Sequence, residues 1–280
     1  MYRWPISITR CLALASILVF LPAVSCFATV SAGFYAIDGG TGNLWRIDPV
    51  TLTPSNIGNA GLSVGAWSGL AVHEGELFST EVDGNHIASV DPDTGEAIST
   101  YQQSFNNWQA VVSVNGLLYA WEYGGSDNGA QMHVIDPVTG LETHGGFMSV
   151  TAPRGADVDE STGLIYAIGS DDRLYTLTLN TLGNGGTATP IGPTGIDFTA
   201  ARVGLAYNPL DQHLYAIGDD AVDGDNLYRL DKATGAATFV IKTGIDIGTS
   251  LEFIVPEPSS FLLSTFGASL LIRRRHCIQE

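Results

Sequence analysis

Short apolar runs carrying an aromatic residue recur along almost the whole chain, separated by stretches of Gly, Asp and Asn. The clearest unit opens with Gly116-Leu-Leu-Tyr-Ala-Trp-Glu122, passes through a loop, and resumes as Gln131-Met-His-Val-Ile-Asp-Pro-Val-Thr-Gly140. Runs this short, bounded by turn-forming residues, read as buried strands rather than helices. The unit returns at 33–51, 76–95, 164–183 and 213–235. Aligned on the aromatic (Tyr35, Phe78, Tyr119, Tyr166 and Tyr215), the steps are 43, 41, 47 and 49 residues.

That spacing is the repeat length of propeller blades. Each unit reads as four strands, A to D from the centre outward; in the second they fall at 69–72, 77–81, 86–90 and 96–100. The third reads 110–114, 117–122, 132–135 and 141–143, the fourth 155–158, 164–168, 174–179 and 187–191, and the fifth 204–207, 214–217, 227–230 and 236–241. The first unit begins at strand B. Its strand A reappears at the far end as Ser250-Leu-Glu-Phe-Ile254, which aligns with Gly69-Leu-Ala-Val72. The predicted fold is therefore all-β, a five-bladed β-propeller over residues 33–254, closed by mixing the first and last strands in one blade so that no open edge remains.

Between strands C and D stands Asp-Pro-x-Thr-Gly, whose chemistry is that of a turn. Asp accepts hydrogen bonds from the backbone ahead of it, Pro presets φ, and Gly supplies a positive φ. The motif superficially resembles the Asp-x-x-Thr-Gly of quinoprotein propellers, but the closing Trp of that repeat is absent, so no quinone cofactor is predicted.

Composition agrees with one large β domain: hydrophobic residues are 45%, charged residues 15%, and there are 33 glycines for many tight turns. The body is strongly acidic. Residues 33–254 hold seven Lys or Arg against 27 Asp or Glu, which argues against nucleic acid and anionic lipid as partners and leaves cations and neutral glycans. Cys11, Cys26 and Cys277 all lie in the end segments, so the body holds neither a disulfide framework nor a thiolate metal site.

Residues 1–32 have the three-part layout of a secretory signal helix: Arg3 and Arg10, an apolar run from Cys11 to Val24, then small residues. Cleavage after Ala28 or Ala32 fits, and Ala23-Val-Ser-Cys26 is a degenerate lipobox that leaves lipidation of Cys26 open. At the other end, 255–280 run Pro256-Glu257-Pro258, an apolar stretch to Ile272, then Arg273, Arg274 and Arg275. This order resembles the PEP-CTERM sorting signal. The resemblance implies a C-terminal membrane helix with cytoplasmic arginines, recognition by an exosortase, processing near the Pro-Glu-Pro motif, and delivery from a transient inner-membrane anchor to the cell surface or extracellular space.

Candidate chemistry is thin. No His-Glu-x-x-His, Gly-x-Ser-x-Gly or Walker sequence occurs, and the histidines lack ligand spacing; no catalytic or metal residue is assigned. Trp67, Trp108, Arg154 and Arg202 precede inner strands at equivalent repeat positions, so they are expected to ring one mouth of the channel. There the Trp pair stacks on sugar rings and the Arg pair holds an anion; alternatively Trp packs between blades and Arg pairs with Asp. The loop 219–226 has carboxylates enough for Ca²⁺ without the spacing of a known calcium loop. The predicted function is an exported, non-catalytic cell-surface binding module, with a glycan as its candidate ligand. The rival is a glycan-processing enzyme using inner-strand carboxylates such as Glu81, Glu122 and Asp157.

Overall fold

The computed structural model of the chain describes residues 30–61, 67–81, 85–103, 108–122, 130–149, 152–220, 224–245 and 250–256. Every regular element among them is a β-strand. The segment read as a signal, up to residue 29 with Cys26, and the residues read as a sorting motif, Glu257, Pro258, Arg273, Arg274 and Arg275, lie outside the described residues; Pro256 is the last one inside.

The strands pair in antiparallel meanders. The first holds β1 (Gly33–Ile37), β2 (Asn43–Ile47) and β3 (Pro54–Asn59). The second holds β4 (Trp67–His73), β5 (Glu76–Glu81), β6 (His86–Val90) and β7 (Ala97–Gln102). The third is β8 (Trp108–Val114), β9 (Leu117–Glu122), β10 (Ala130–Ile135) and β11 (Glu142–Met148). The fourth is β12 (Gly155–Asp159), β13 (Leu164–Ile168), β14 (Arg173–Leu179) and β15 (Gly186–Pro193), and the fifth β16 (Phe198–Asn208), β17 (His213–Asp220), β18 (Gly224–Leu230) and β19 (Ala237–Lys242). The last strand, β20 (Glu252–Ile254), pairs with β1 in the register Gly33↔Ile254, Phe34↔Phe253, Tyr35↔Glu252. The first meander is thus completed from the far end of the chain, as the missing strand A predicts. Between the third and fourth meanders a parallel bridge, Met148↔Gly186, joins the outer strands into one eight-stranded sheet.

Burial follows radial position. Strand β1 is buried at all five positions, as expected of a strand covered on both faces, whereas outer β7 alternates half-buried and exposed residues. The core is divided into clusters between successive meanders. Trp67 packs with Tyr35, Ile37 and Leu44 of the first and Leu70 and Leu77 of the second. Trp108 fills the next gap with Ala71, Phe78 and Ile87 against Val111 and Leu118. A cluster of Phe34, Phe253, Ala206, Tyr215 and Ile217 joins the fifth meander to the first, with Phe34 and Phe253 edge to face at 4.8 Å.

The Asp-Pro-x-Thr-Gly turns are formed as their chemistry predicts. Asp136 Oδ1 accepts the Val138 and Thr139 N–H groups at 2.8 and 3.1 Å, and the Gly140 N–H returns to the Asp136 carbonyl at 2.8 Å. Asp48, Asp91 and Asp231 repeat the pattern, and Asn180 does so in the fourth meander. These N–H bonds hold the Asp48, Asp136 and Asp231 carboxyls below the ordinary carboxylate range.

Candidate functional site

The inner strands β20, β4, β8, β12 and β16 lie beside one another in that order, and β16 returns to β20. Where these strands turn outward a cavity of about 490 Å³ opens. Its walls come from His73 and Glu74 at the β4–β5 turn, Ser113 of β8, Glu160 after β12, and Tyr207 of β16. Val255 and Pro256, where the described chain ends, line it too. His73 Nδ1 lies 3.0 Å from Ser113 Oγ, a hydrogen bond between neighbouring inner strands.

Two buried carboxylates, Asp157 and Glu252, also line the cavity. Both stand opposite the aromatic of their strand B, Asp157 across from Tyr166 and Glu252 across from Tyr35. The same register position holds Ala71, Val112 and Ala206 in the other meanders. Each carboxylate also reaches the next inner strand round the ring. Asp157 accepts the Tyr207 N–H at 2.5 Å and the Val158 N–H at 2.6 Å. Glu252 accepts the Phe253 N–H at 3.0 Å and a bond from the Val72 backbone. Val72 and Tyr207 are themselves equivalent, one residue beyond Ala71 and Ala206.

Burial pushes the Asp157 carboxyl up to about 7, against the pull of its two N–H bonds, and Glu160 and Asp159 add like charge. Burial also raises Glu252 well above the ordinary range, with Asp157 and Glu160 pushing the same way. Nearby, Lys232 Nζ donates to Asp159 at 2.9 Å and sits 5.0 Å over the Tyr207 ring. Asp159 is held down to about 2 by hydrogen bonds from Ser161 and Lys232, which outweigh its own desolvation.

The residues expected to ring a mouth are placed differently. Trp67 and Trp108 are 1% and 0% exposed, each enclosed in a gap between meanders, so no pair of stacking indoles faces solvent. Trp108 is at the opposite end of β8 from Ser113, and its ring meets His133 edge to face at 4.7 Å. Arg154 donates to Asp172 Oδ1 at 3.0 Å and to the Phe198 carbonyl at 2.9 Å, tying the fourth meander to the fifth. Arg202 belongs to β16, its side chain outside the described residues. The packing alternative fits Trp67 and Trp108, which fill the gap against the preceding meander, and Arg154, which pairs with an Asp and reaches the following meander.

Of the carboxylates considered for catalysis, only Asp157 lines the cavity. Glu81 pairs with His86 at 2.7 Å, and Glu122 lies 3.7 Å from His133 Nε2. Both are cross-strand from the tryptophans at the other end of the inner strands. The loop 219–226 is largely a hairpin, with Asp219↔Asp225 and Asp220↔Gly224 in register and 221–223 outside the described residues. Glu252 was not singled out as chemistry in the sequence. The signal for it is the repeat itself: aligning 250–254 with the other inner strands puts Glu252 and Asp157 at one position where the rest carry small or apolar residues.

No family model and no curated protein matches the chain. Among solved structures it is similar to a chain of the crystal structure of a nidogen/laminin complex, with a TM-score of 0.51 and 13% identity over 79% of this chain and 82% of that one. At that identity the likeness is one of fold, and together with the meanders around a central cavity it makes the described part of this chain a β-propeller.

Proposed function

We propose that residues 33–254 form a closed five-bladed propeller that is exported and displayed at the cell surface as a non-catalytic binding module. The observation that carries this reading is the β20–β1 pairing. It supports closure, and it sets the start of the propeller beside its end, with Gly33 opposite Ile254. The signal-like segment therefore precedes, and the Pro-Glu-Pro tail follows, the same blade. Because Pro256 lies on the cavity rim, a chain held by its tail is held by the cavity-bearing face. The opposite face, with the loops between second and third strands, is then turned away from the membrane towards partners such as a glycan or a surface protein.

In an exosortase-bearing host, mass spectrometry of the surface form is expected to find a C-terminus near Pro256-Glu257-Pro258. Glu257→Ala is expected to leave folding intact and trap an uncleaved membrane-bound precursor. A wild-type surface protein that keeps Arg273, Arg274 and Arg275 refutes processing.

A glycan-processing enzyme is the second reading, favoured by two carboxyls of raised pKa in one cavity. A carboxyl that stays protonated near neutral pH can serve as a general acid. Against it, both Asp157 oxygens already accept backbone N–H bonds. Turnover of chromogenic glycosides that disappears in Asp157→Asn and Glu252→Gln decides for the enzyme; its absence decides for the module.

A further inference from the structure

The charge distribution around the axial cavity is one-sided. Among its described lining residues are four carboxylates, Glu74, Asp157, Glu160 and Glu252, and no Lys or Arg. Asp157 and Glu252 are 8% and 7% exposed, and neither has an ion pair among the described residues. Lys232, the cation at that end of β12, is engaged with Asp159. Buried charges are ordinarily matched by a counter-charge or neutralised by a proton. Here the backbone N–H groups of Tyr207, Val158 and Phe253 supply dipoles but no positive charge.

The charged and titratable groups around the two carboxylates are His73 at the end of β4, Glu74 after it, Asp159 and Glu160 from the end of β12, Tyr207 from β16, and the cross-strand tyrosines, Tyr166 beside Asp157 and Tyr35 beside Glu252. The field they make is anionic, and the acidic body adds to it at long range. The volume, about 490 Å³, falls within the range of roughly 300–1,000 Å³ in which small molecules bind. A bare metal ion fits less well, since no group of three or more His, Cys, Asp or Glu among the described residues is arranged to hold one. An extended ligand can span the separate carboxylates.

We propose that the axial cavity binds a small organic cation, a protonated primary amine on a short aliphatic or sugar frame, with Asp157 and Glu252 as its buried counter-charges and Glu74 and Glu160 at the rim. The Ser113 hydroxyl and His73 imidazole meet the polar part of the frame. The proposal goes beyond the display reading, since the cavity lies on the face that carries the tail and not on the one turned towards glycan or protein partners. Binding and protonation compete for the same carboxyls, so amines enter most tightly where the carboxyls are ionised and the amine is still charged.

The test is calorimetric titration of the full chain with putrescine and glucosamine, with N-acetylglucosamine as the neutral frame. Putrescine, still fully charged at about pH 8, is expected to bind about tenfold more tightly there than at about pH 5.5, with protons released on binding near neutrality; glucosamine, whose ammonium loses its proton near neutrality, is compared with it at about pH 7. The neutral sugar is expected not to bind. Preference for putrescine assigns a polyamine-like ligand; preference for glucosamine assigns an amino sugar. Asp157→Asn and Glu252→Gln are expected to lower amine affinity at least about tenfold. Glu160→Gln, at an exposed position that does not threaten folding, is expected to lower it about threefold.

Absence of amine binding, equal binding of N-acetylglucosamine, or unchanged affinity in the variants overturns the proposal. Should the buried variants fail to fold, Glu160→Gln decides alone. A chain that reaches the surface but binds no amine removes the cavity assignment and leaves the display reading standing; one that binds amines but is never sorted does the reverse.

Discussion

At the residue scale, the buried carboxylates give the domain an unusual pH dependence. Asp157 has a folded pKa of about 7 and Glu252 is raised as well. Both exceed the unfolded values of about 4, so between those limits the folded state holds more protons than the unfolded one. Stability therefore falls as pH rises through about 4 to 7. The turn carboxylates Asp48, Asp136 and Asp231 are shifted the other way. Their contribution is present above about pH 4 and is lost as pH drops below it. The melting temperature is expected to peak in mildly acidic solution and to decline towards pH 8. Asp157→Asn, which cannot ionise, is expected to flatten the decline between about pH 5 and 8, and melts monitored by circular dichroism across that range check it. An unchanged slope would assign the titration to other groups. Trp108→Ala is expected to cost about 3–5 kcal/mol by emptying the space between two meanders, measured by denaturant unfolding. The equivalence of Trp67 and Trp108 could be read from the repeat. Their burial could not, because it depends on how closely adjacent meanders approach, and the pattern within one unit does not encode that distance.

At the element scale, the Asp-Pro-x-Thr-Gly turn does more than reverse the chain. Its Thr-Gly end packs against a glycine of the outer strand one meander earlier: Thr94 and Gly95 against Gly58, Thr234 and Gly235 against Gly192. Beside these approaches run backbone hydrogen bonds, Ala97 N–H to the Ala60 carbonyl at 3.2 Å and Ala237 N–H to the Thr194 carbonyl at 2.8 Å. A Cβ on Gly58 would overlap the Thr94 carbonyl, and one on Gly192 the Thr234 carbonyl. Gly58→Ala and Gly192→Ala are each expected to destabilise by about 1–3 kcal/mol, read from the shift of a urea unfolding midpoint. An effect below about 0.5 kcal/mol would mean that the outer strands are not held this way. The strand positions and the turn chemistry were readable because both rest on local rules, period and φ preference. The docking glycines were not, because a glycine in an outer strand looks the same whether it admits a neighbour or merely loosens the edge.

At the scale of the whole molecule, the junctions are unequal. The third and fourth meanders share a bridge between outer strands, at Met148↔Gly186, and the Gly146 N–H bonds the Asn184 carbonyl. The joint completed by β20 rests on three paired residues and on the burial of Leu251, Phe253 and Ile254. That pairing could be read from the absent first strand. Its dependence on so short a strand could not, because strand length is fixed by how far β1 and β20 stay in register. Each of the three side chains contributes about 1.5–3 kcal/mol, a large share of a typical domain stability of about 5–15 kcal/mol. A chain ending at residue 249 is therefore expected to lose its cooperative melt and to associate through the bared edge of β1, whereas one ending at residue 256 melts like the full chain. Size-exclusion chromatography with a thermal melt distinguishes them; an unchanged melting temperature after removal of β20 would refute closure. In the intact protein the same inequality sets the order of opening. Amides of β1 and β20 are expected to exchange with solvent faster than those of β9 and β13, which lie inside the eight-stranded sheet. Hydrogen exchange resolved by mass spectrometry reads this directly. Equal protection at the two places would mean that the ring opens only by global unfolding, with the three-residue seam as firm as the continuous sheet.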